Sequence, residues 1–322
     1  MTPELTTTAP VRNRLAIIGA GSVGATIAYA AMLRGLTHEV VLIDVVAEKA
    51  EAEAKDLMHG SMFLPAVRVT SGPLEACRGA RVIIIAAGAK QKPGQTRLDL
   101  AEANANIFRE MIPRVLAAEP EAILLIVSNP VDVLTYITLQ LSSLPPARVI
   151  GSGTVLDTSR FRSLLARRLG VAVANVHAYI VGEHGDSEVP LWSTAQVAGV
   201  PLDRFAPPGQ EPLDDAEREA IFHNVRDAAA QVIRAKGATN WAIGLAVARI
   251  LEAIFRDEQR VLTVSGLVAD YYGIGDVCLS VPRITGRHGM GAAINVRLRE
   301  TELAALRRSA DTLRAAARRL GF

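Results

Sequence analysis

Four apolar runs in the first half of the chain, at residues 15–18, 40–43, 82–87 and 123–127, are each followed by turn residues and then by a helical pattern. Short unbroken runs of this kind read as strands buried on both faces, and their alternation with helices predicts a parallel sheet wound on both sides. The first run leads into a helix over about 22–34. The third ends in Gly88-Ala89 and the fourth in Ser128-Asn129-Pro130. Ligands of such sheets sit outside the carboxyl ends of the strands, so these segments should line one cleft. After residue 151 the pattern changes. A helix over 155–169 leads into an apolar stretch at 176–181 and a Gly- and His-containing segment, and residues 261–267 with their neighbours read as antiparallel strands. Pro207-Pro208-Gly209 opens a surface loop, and 214–256 reads mostly as helix. Residues 299–320 place Leu303, Leu306, Leu313 and Leu320 on one helical face and many arginines on the other. The expected division is a tail at 1–12, a first domain at 13–151 and a second, α+β, domain at 152–322.

The turn after the first run is Gly19-Ala20-Gly21-Ser22-Val23-Gly24, and Asp44 closes the second run twenty residues beyond Gly24. Three glycines at this spacing permit a tight turn, close approach of backbone to a pyrophosphate, and close packing of helix on strand. The helix that follows would aim its N–H groups and positive dipole end at the phosphates. Asp44 can accept both hydroxyls of a ribose and would repel a 2′-phosphate, which favours NAD over NADP. The fold class expected is α/β, a Rossmann-type doubly wound parallel sheet, with the α+β second domain holding substrate.

Composition narrows the partners. The chain has 322 residues, half of them hydrophobic and 21% charged, which suits a two-lobed globular enzyme and excludes a largely disordered chain. A net charge of +2 provides no field that would draw nucleic acid or a membrane surface. Cys77 and Cys278 lie far apart without metal-ligand spacing, so reduced thiols in a cytoplasmic protein are expected, with no metal. The opening residues have neither a basic region nor an apolar core of an export signal.

Three further segments carry chemistry. His184 stands in Gly182-Glu183-His184-Gly185-Asp186-Ser187, where small neighbours let an imidazole project into a cleft; a structural histidine is the alternative. Asp157 and Arg160 are three apart on the helix of 155–169 and so share a face, either as a surface ion pair or as part of a site. The segment 88–97 is polar and follows a buried strand, as a lid or a solvated connection would. Reducing a ketone with a nicotinamide builds negative charge on oxygen, which calls for a proton donor with pKa near neutrality and a nearby cation. An imidazole supported by a carboxylate supplies the first, and an arginine fork can hold a substrate carboxylate.

The ordered set of GAGSVG, Asp44, Thr96-Arg97-Leu98-Asp99-Leu100, Ser128-Asn129-Pro130-Val131-Asp132, Leu156-Asp157-Thr158-Ser159-Arg160 and Gly182-Glu183-His184-Gly185-Asp186-Ser187 resembles the lactate and malate dehydrogenases over nearly the whole chain. The resemblance implies that His184 is the acid/base and Asp157 its partner. It implies that Arg160 grips the substrate carboxylate, that Arg97 closes over the carbonyl, and that Asn129 and Thr239 line the substrate pocket, with Ile243 toward the nicotinamide. Cofactor contacts fall to Gly19, Gly21, Val23, Gly24, Asp44, Lys49, Gly88, Ala89, Ser128 and Asn129.

Gln91 bears on which acid is used. By the resemblance this position faces the C3 group of the substrate, with arginine in malate enzymes and glutamine in lactate enzymes. A second carboxylate brought into a closed site beside Gln91 would meet no countercharge, at a cost of roughly several kcal/mol. The implied reaction is reversible hydride transfer between NADH and pyruvate, giving L-lactate and NAD+. A malate dehydrogenase and a non-catalytic NAD-binding protein are the alternatives. Lys90 and Lys92 flank Gln91, and Gln95 stands where the family often has glutamate. Arg162 and His177 match a pair that resembles the fructose 1,6-bisphosphate site of bacterial members, which implies an effector and a homotetramer; surface polar residues are the alternative. His59 and Asp56 resemble a subunit-contact region, while His38, His223 and His288 read as surface residues.

Overall fold

The computed structural model describes residues 13–89 and 97–322, with the side chains of all of these except Arg97 and Leu98. Gln91, Gln95, the two lysines beside Gln91 and the tail expected at 1–12 lie outside the described residues. Six strands run parallel: β1 (Arg14–Ile18), β2 (Glu39–Ile43), β3 (Arg68–Ser71), β4 (Val82–Ile85), β5 (Ile123–Ile126) and β6 (Val149–Gly151). Shorter strands follow: β7 (Val176–His177), β8 (Ile180–Val181), β9 (Val189–Pro190), β10 (Gln196–Val197), β11 (Val200–Pro201), β12 (Arg260–Leu262), β13 (Ser265–Val268), β14 (Val277–Ser280), β15 (Arg283–Gly286) and β16 (Gly289–Ala293). The helices are α1 (Ser22–Leu33), α2 (Ala47–His59), α3 (Arg97–Ala118), α4 (Val131–Ser142), α5 (Val155–Leu169), α6 (Asp215–Lys236), α7 (Trp241–Phe255) and α8 (Glu300–Arg319).

The central sheet has eight strands in the order β3-β2-β1-β4-β5-β6-β13-β14, the last two antiparallel. The unbroken apolar runs follow from its two covered faces. Leu15, Ile17, Val40, Leu42, Val82 and Ile84 enter one core, while Ala16, Ile18, Val41, Ile43, Ile83 and Ile85 enter the other. Each large aliphatic side chain so buried contributes about 1.5–3 kcal/mol. The order reverses between β1 and β4, so a crevice opens past their carboxyl ends.

The antiparallel strands expected around 261–267 and the mostly helical stretch at 214–256 are present, and tertiary contacts subdivide three of the stretches. The stretch at 176–181 forms two strands in two sheets, β7 against β10 and β8 against β9. Tertiary hydrogen bonds make the break, since Ile180 N–H donates to Thr158 Oγ1 (3.0 Å) and Ile180 O accepts from Thr154 Oγ1 (2.6 Å). Residues 261–267 divide likewise between β12, in a sheet with β15 and β16, and β13, in the central sheet. Thr263 lies between them, its carbonyl taken by Thr154 N–H. The helical stretch at 214–256 is interrupted at 237–240 between α6 and α7, and Asn240 Nδ2 there donates to Thr26 Oγ1 on α1 (2.9 Å). Among the described residues no helix is long and apolar enough to cross a membrane.

Candidate active site

The glycine turn sits at the mouth of the β1/β4 crevice. Gly19 has φ +104°, and a Cβ on it would lie 2.5 Å from Ala87 N just past β4. A Cβ on Gly24 would lie 1.9 Å from Gly19 O, so α1 can press on β1 only with glycine there. A Cβ on Gly21, in contrast, would meet only Lys49 Nζ at 3.7 Å, so its outer side is open to a ligand with an ammonium beside it. Gly21 caps α1 without any side-chain hydrogen bond, leaving the first N–H groups of the helix for an anion. Asp44 is half-buried beyond β2. Its Oδ2 accepts from Ala20 N (2.8 Å) and its Oδ1 from Val46 N (3.0 Å). A carboxylate has about four lone-pair sites, so both oxygens keep capacity for a diol. These residues fit a dinucleotide: donors at the helix start, a gap at Gly21, an acid at the second strand.

The same crevice is lined by the ends of β4 and β5. Gly88 and Ala89 are exposed past β4, and Asn129 is exposed past β5. Ser128 Oγ donates to Ile85 O at 3.1 Å and also to Ala87 O. Asn104 on α3 joins the two ends, since its Oδ1 accepts from Ala89 N (2.7 Å) and its Nδ2 donates to Asn129 O (2.8 Å). Sequence reasoning missed Asn104. A buried polar residue at an otherwise apolar helix position was the available signal.

Asp157, His184 and Arg160 come together. Asp157 is 2% exposed on the first turn of α5; its Oδ2 lies 2.6 Å from His184 Nδ1 and its Oδ1 accepts from Arg160 Nη1 at 2.6 Å. The alternative of a surface ion pair is therefore excluded. Burial opposes ionisation of Asp157, but His184 and Arg160 outweigh it and hold its pKa below the usual carboxylate value. Burial likewise disfavours the imidazolium, yet Asp157 above all, with Asp132 and Glu188, raises the pKa of His184 to about 9. The ring's Nε2 edge is the one left for a substrate, and its side chain is 28% exposed. Among the described residues Arg160 makes no other hydrogen bond, so most of its donor fork remains for an anion.

The loop carrying His184 is held by its backbone. Gly182 exchanges hydrogen bonds with Ser280 of β14, Glu183 N–H donates to Ser309 Oγ of α8 (2.8 Å), and His184 N–H donates to Asp132 Oδ2 of α4 (2.7 Å). Asp132 is 2% exposed and also accepts from Ser280 Oγ at 3.1 Å. Its burial raises its pKa against these hydrogen bonds. Asp132 stood in a quoted motif without a role, and the contact that defines it is 52 residues away in sequence. Glu188, at the end of the loop and 6% exposed, was not singled out.

Thr239 occupies the 237–240 break and Ile243 the first turn of α7, both half-buried. Arg162, on another face of α5 from Arg160, donates from Nε to Ala178 O (2.8 Å) and stacks over Tyr179. His177 is exposed on β7, one residue before Ala178. Arg162 borders a cavity of about 280 Å³ whose wall also holds Arg249 and Tyr179. His38, His59, His223 and His288 are exposed. Arg97 opens α3, with its side chain outside the described residues.

Comparison with known proteins gives a consistent picture. Residues 13–151 match the family model described as lactate/malate dehydrogenase, NAD binding domain, and residues 154–320 match the corresponding alpha/beta C-terminal domain. An L-lactate dehydrogenase of Bifidobacterium animalis subsp. lactis is 51% identical over 312 residues, covering 96% of this chain and 98% of the relative. The L-lactate dehydrogenase of Thermus aquaticus is 50% identical over 309 residues, covering 96% of this chain and 100% of the relative. The crystal structure of the minor L-lactate dehydrogenase from Enterococcus mundtii, in its ligands-bound form, superposes with a TM-score of 0.92 at 42% identity, covering 95% of this chain and 98% of that one.

Proposed function

The chain belongs to the lactate/malate dehydrogenase family, and we propose that within it the chain works as an L-lactate dehydrogenase, interconverting pyruvate and L-lactate with NAD. The observation that carries the reading is the bridging of His184 and Arg160 by one buried carboxylate, Asp157. Residues 13–151 hold the cofactor at Gly19, Gly21, Val23, Gly24, Asp44, Lys49, Gly88, Ala89, Ser128 and Asn129, and residues 152–322 supply the acid/base group. NAD, when bound, supplies or accepts the hydride at the substrate's second carbon.

The chain's own residues do the rest. Arg160 pairs with the carboxylate of pyruvate through two parallel N–H donors, a geometry lysine does not offer. His184 Nε2 gives its proton to the carbonyl oxygen as the oxygen becomes an alcohol, and takes it back in the reverse direction. Asp157 fixes the ring's orientation and stabilises the charged form. The resemblance assigns Arg97 to the same oxygen, and Asn129 and Thr239 to the rest of the pocket. Because His184 titrates at about 9, pyruvate reduction uses the protonated ring and falls as pH climbs through that value, whereas lactate oxidation needs the neutral ring and falls as pH drops below it.

Gln91 selects pyruvate over oxaloacetate in this reading, through the countercharge it lacks. Supporting it are the relatives' own activities and the chemistry of the side chain. Steady-state kinetics on both oxo acids tests the choice: kcat/KM is expected to be higher for pyruvate, and a higher value for oxaloacetate would make the chain a malate dehydrogenase.

Arg162 and His177 form half of an effector site for fructose 1,6-bisphosphate, completed by a second copy in a homotetramer. Arg249 on the wall beside Arg162 supports an anion there. Association is supported by the exposure of Met62 (89%), Phe63 (82%) and Trp241 (62%), large apolar side chains near α2 and at the start of α7. Both cysteines are buried and unpaired, as a reducing cytoplasm would keep them.

A further inference from the structure

Glu188 is a buried acid that the reaction as derived does not use. It follows the catalytic loop directly, its N–H reaching back to Gly185 O (3.3 Å), and the β8–β9 pairing of Val181 with Val189 pins it there. The residue is 6% exposed, and its Oε1 has no hydrogen-bond partner among the described residues. The charges that act on it are those of Asp157 and Arg160 on α5, His184 on its own loop and Arg226 on α6. A buried carboxylate with an unpartnered oxygen carries a large desolvation cost, which a neutral acid avoids.

We propose that Glu188 is a positioning residue, kept as a neutral carboxylic acid beside the Asp157–His184–Arg160 cluster so that Arg160 presents its donor fork to the substrate carboxylate. The inference rests on the dehydrogenase reading of that cluster. An ionised Glu188 would set a second carboxylate against the same two cations. It would compete with the substrate for Arg160 and tighten the proton on His184. Burial, then Asp157, push Glu188 up to about 8, against the pull of His184, Arg160 and Arg226, so the acid stays protonated at neutral pH.

The test pairs a spectrum with a pH profile. At pH 7 the infrared difference between wild type and Glu188→Gln should contain the carbonyl band of a protonated carboxylic acid, a readout independent of turnover. In wild type, kcat/KM for pyruvate should fall above pH 8 with more than one proton lost, mainly through KM at first, whereas Glu188→Gln should lose a single proton. Arg226→Gln, outside the site, removes a cation that favours the ionised acid and should move the onset of the wild-type fall to higher pH. That variant keeps the idea testable should Glu188→Gln fail to fold. Absence of the acid band, equal steepness in wild type and Glu188→Gln, or an onset unmoved in Arg226→Gln would each overturn the proposal. Failure of the dehydrogenase reading looks different: wild type itself would not consume NADH with pyruvate.

Discussion

Asp157 serves two cations, and its position decides the protonation of the site. His184 is held charged to about pH 9 because a carboxylate lies 2.6 Å from its ring, although burial alone would lower that value. Removing the charge while keeping the shape reverses the balance. Asp157→Asn should move the alkaline limb of pyruvate reduction to lower pH, since burial then acts without its counterweight; an unmoved limb would show that another group sets the profile. The same pair is linked to folding. The folded pKa is raised, so its contribution to stability is complete below the unfolded imidazole value of about 6.5 and is lost as pH rises through about 9. At Gln91 the expectation concerns substrate choice: Gln91→Arg should shift kcat/KM toward oxaloacetate, and full retention of pyruvate preference would assign the choice elsewhere. Residues were unequally legible in the sequence. Gly19 and Asp44 declare themselves through local spacing and His184 through the motif it stands in, whereas the contacts of Asp132 and Asn104 and the burial of Glu188 arise only in the folded chain.

Elements bring the acid and the base together from distant parts of the chain. α5 is locked to β8 by Thr154 and Thr158, both bonded to Ile180, and Thr158 Oγ1 also meets Thr263 Oγ1 at 3.0 Å. That lock fixes Asp157 relative to the loop of His184, and α4 fixes the loop's backbone through Asp132. Asp132→Ala would leave the His184 N–H without its partner, at a cost of about 1–3 kcal/mol. Lower thermal stability together with a reduced kcat is expected, and an unaltered kcat would remove Asp132 from the positioning of His184. These locks also explain why the apolar stretch at 176–181 is divided: Ile180 is claimed by α5 and the chain changes sheet. The uninterrupted runs of β1, β2, β4 and β5 were readable because both faces of their sheet are covered, which leaves no polar alternation to confuse them.

At the scale of the whole molecule, one sheet carries both halves of the chemistry. Its parallel portion ends in the nucleotide crevice, and β13 and β14 extend it toward the loop of His184 through Ser280. The change of pattern after residue 151 was visible in the sequence, but the return of later strands to the same sheet was not, because pairing across more than a hundred residues leaves no local signature. Assembly belongs to this scale as well. Sedimentation of dilute protein should show a larger species on adding fructose 1,6-bisphosphate, lost in Arg162→Gln; no change in wild type would leave Arg162 and His177 as surface residues. The central claim, that His184 supported by Asp157 is the acid/base group of a pyruvate-reducing enzyme, is tested most directly by His184→Gln. Consumption of NADH with pyruvate should fall by orders of magnitude while NADH binding, followed by fluorescence titration, stays as in wild type. Turnover at the wild-type rate in that variant would contradict the claim.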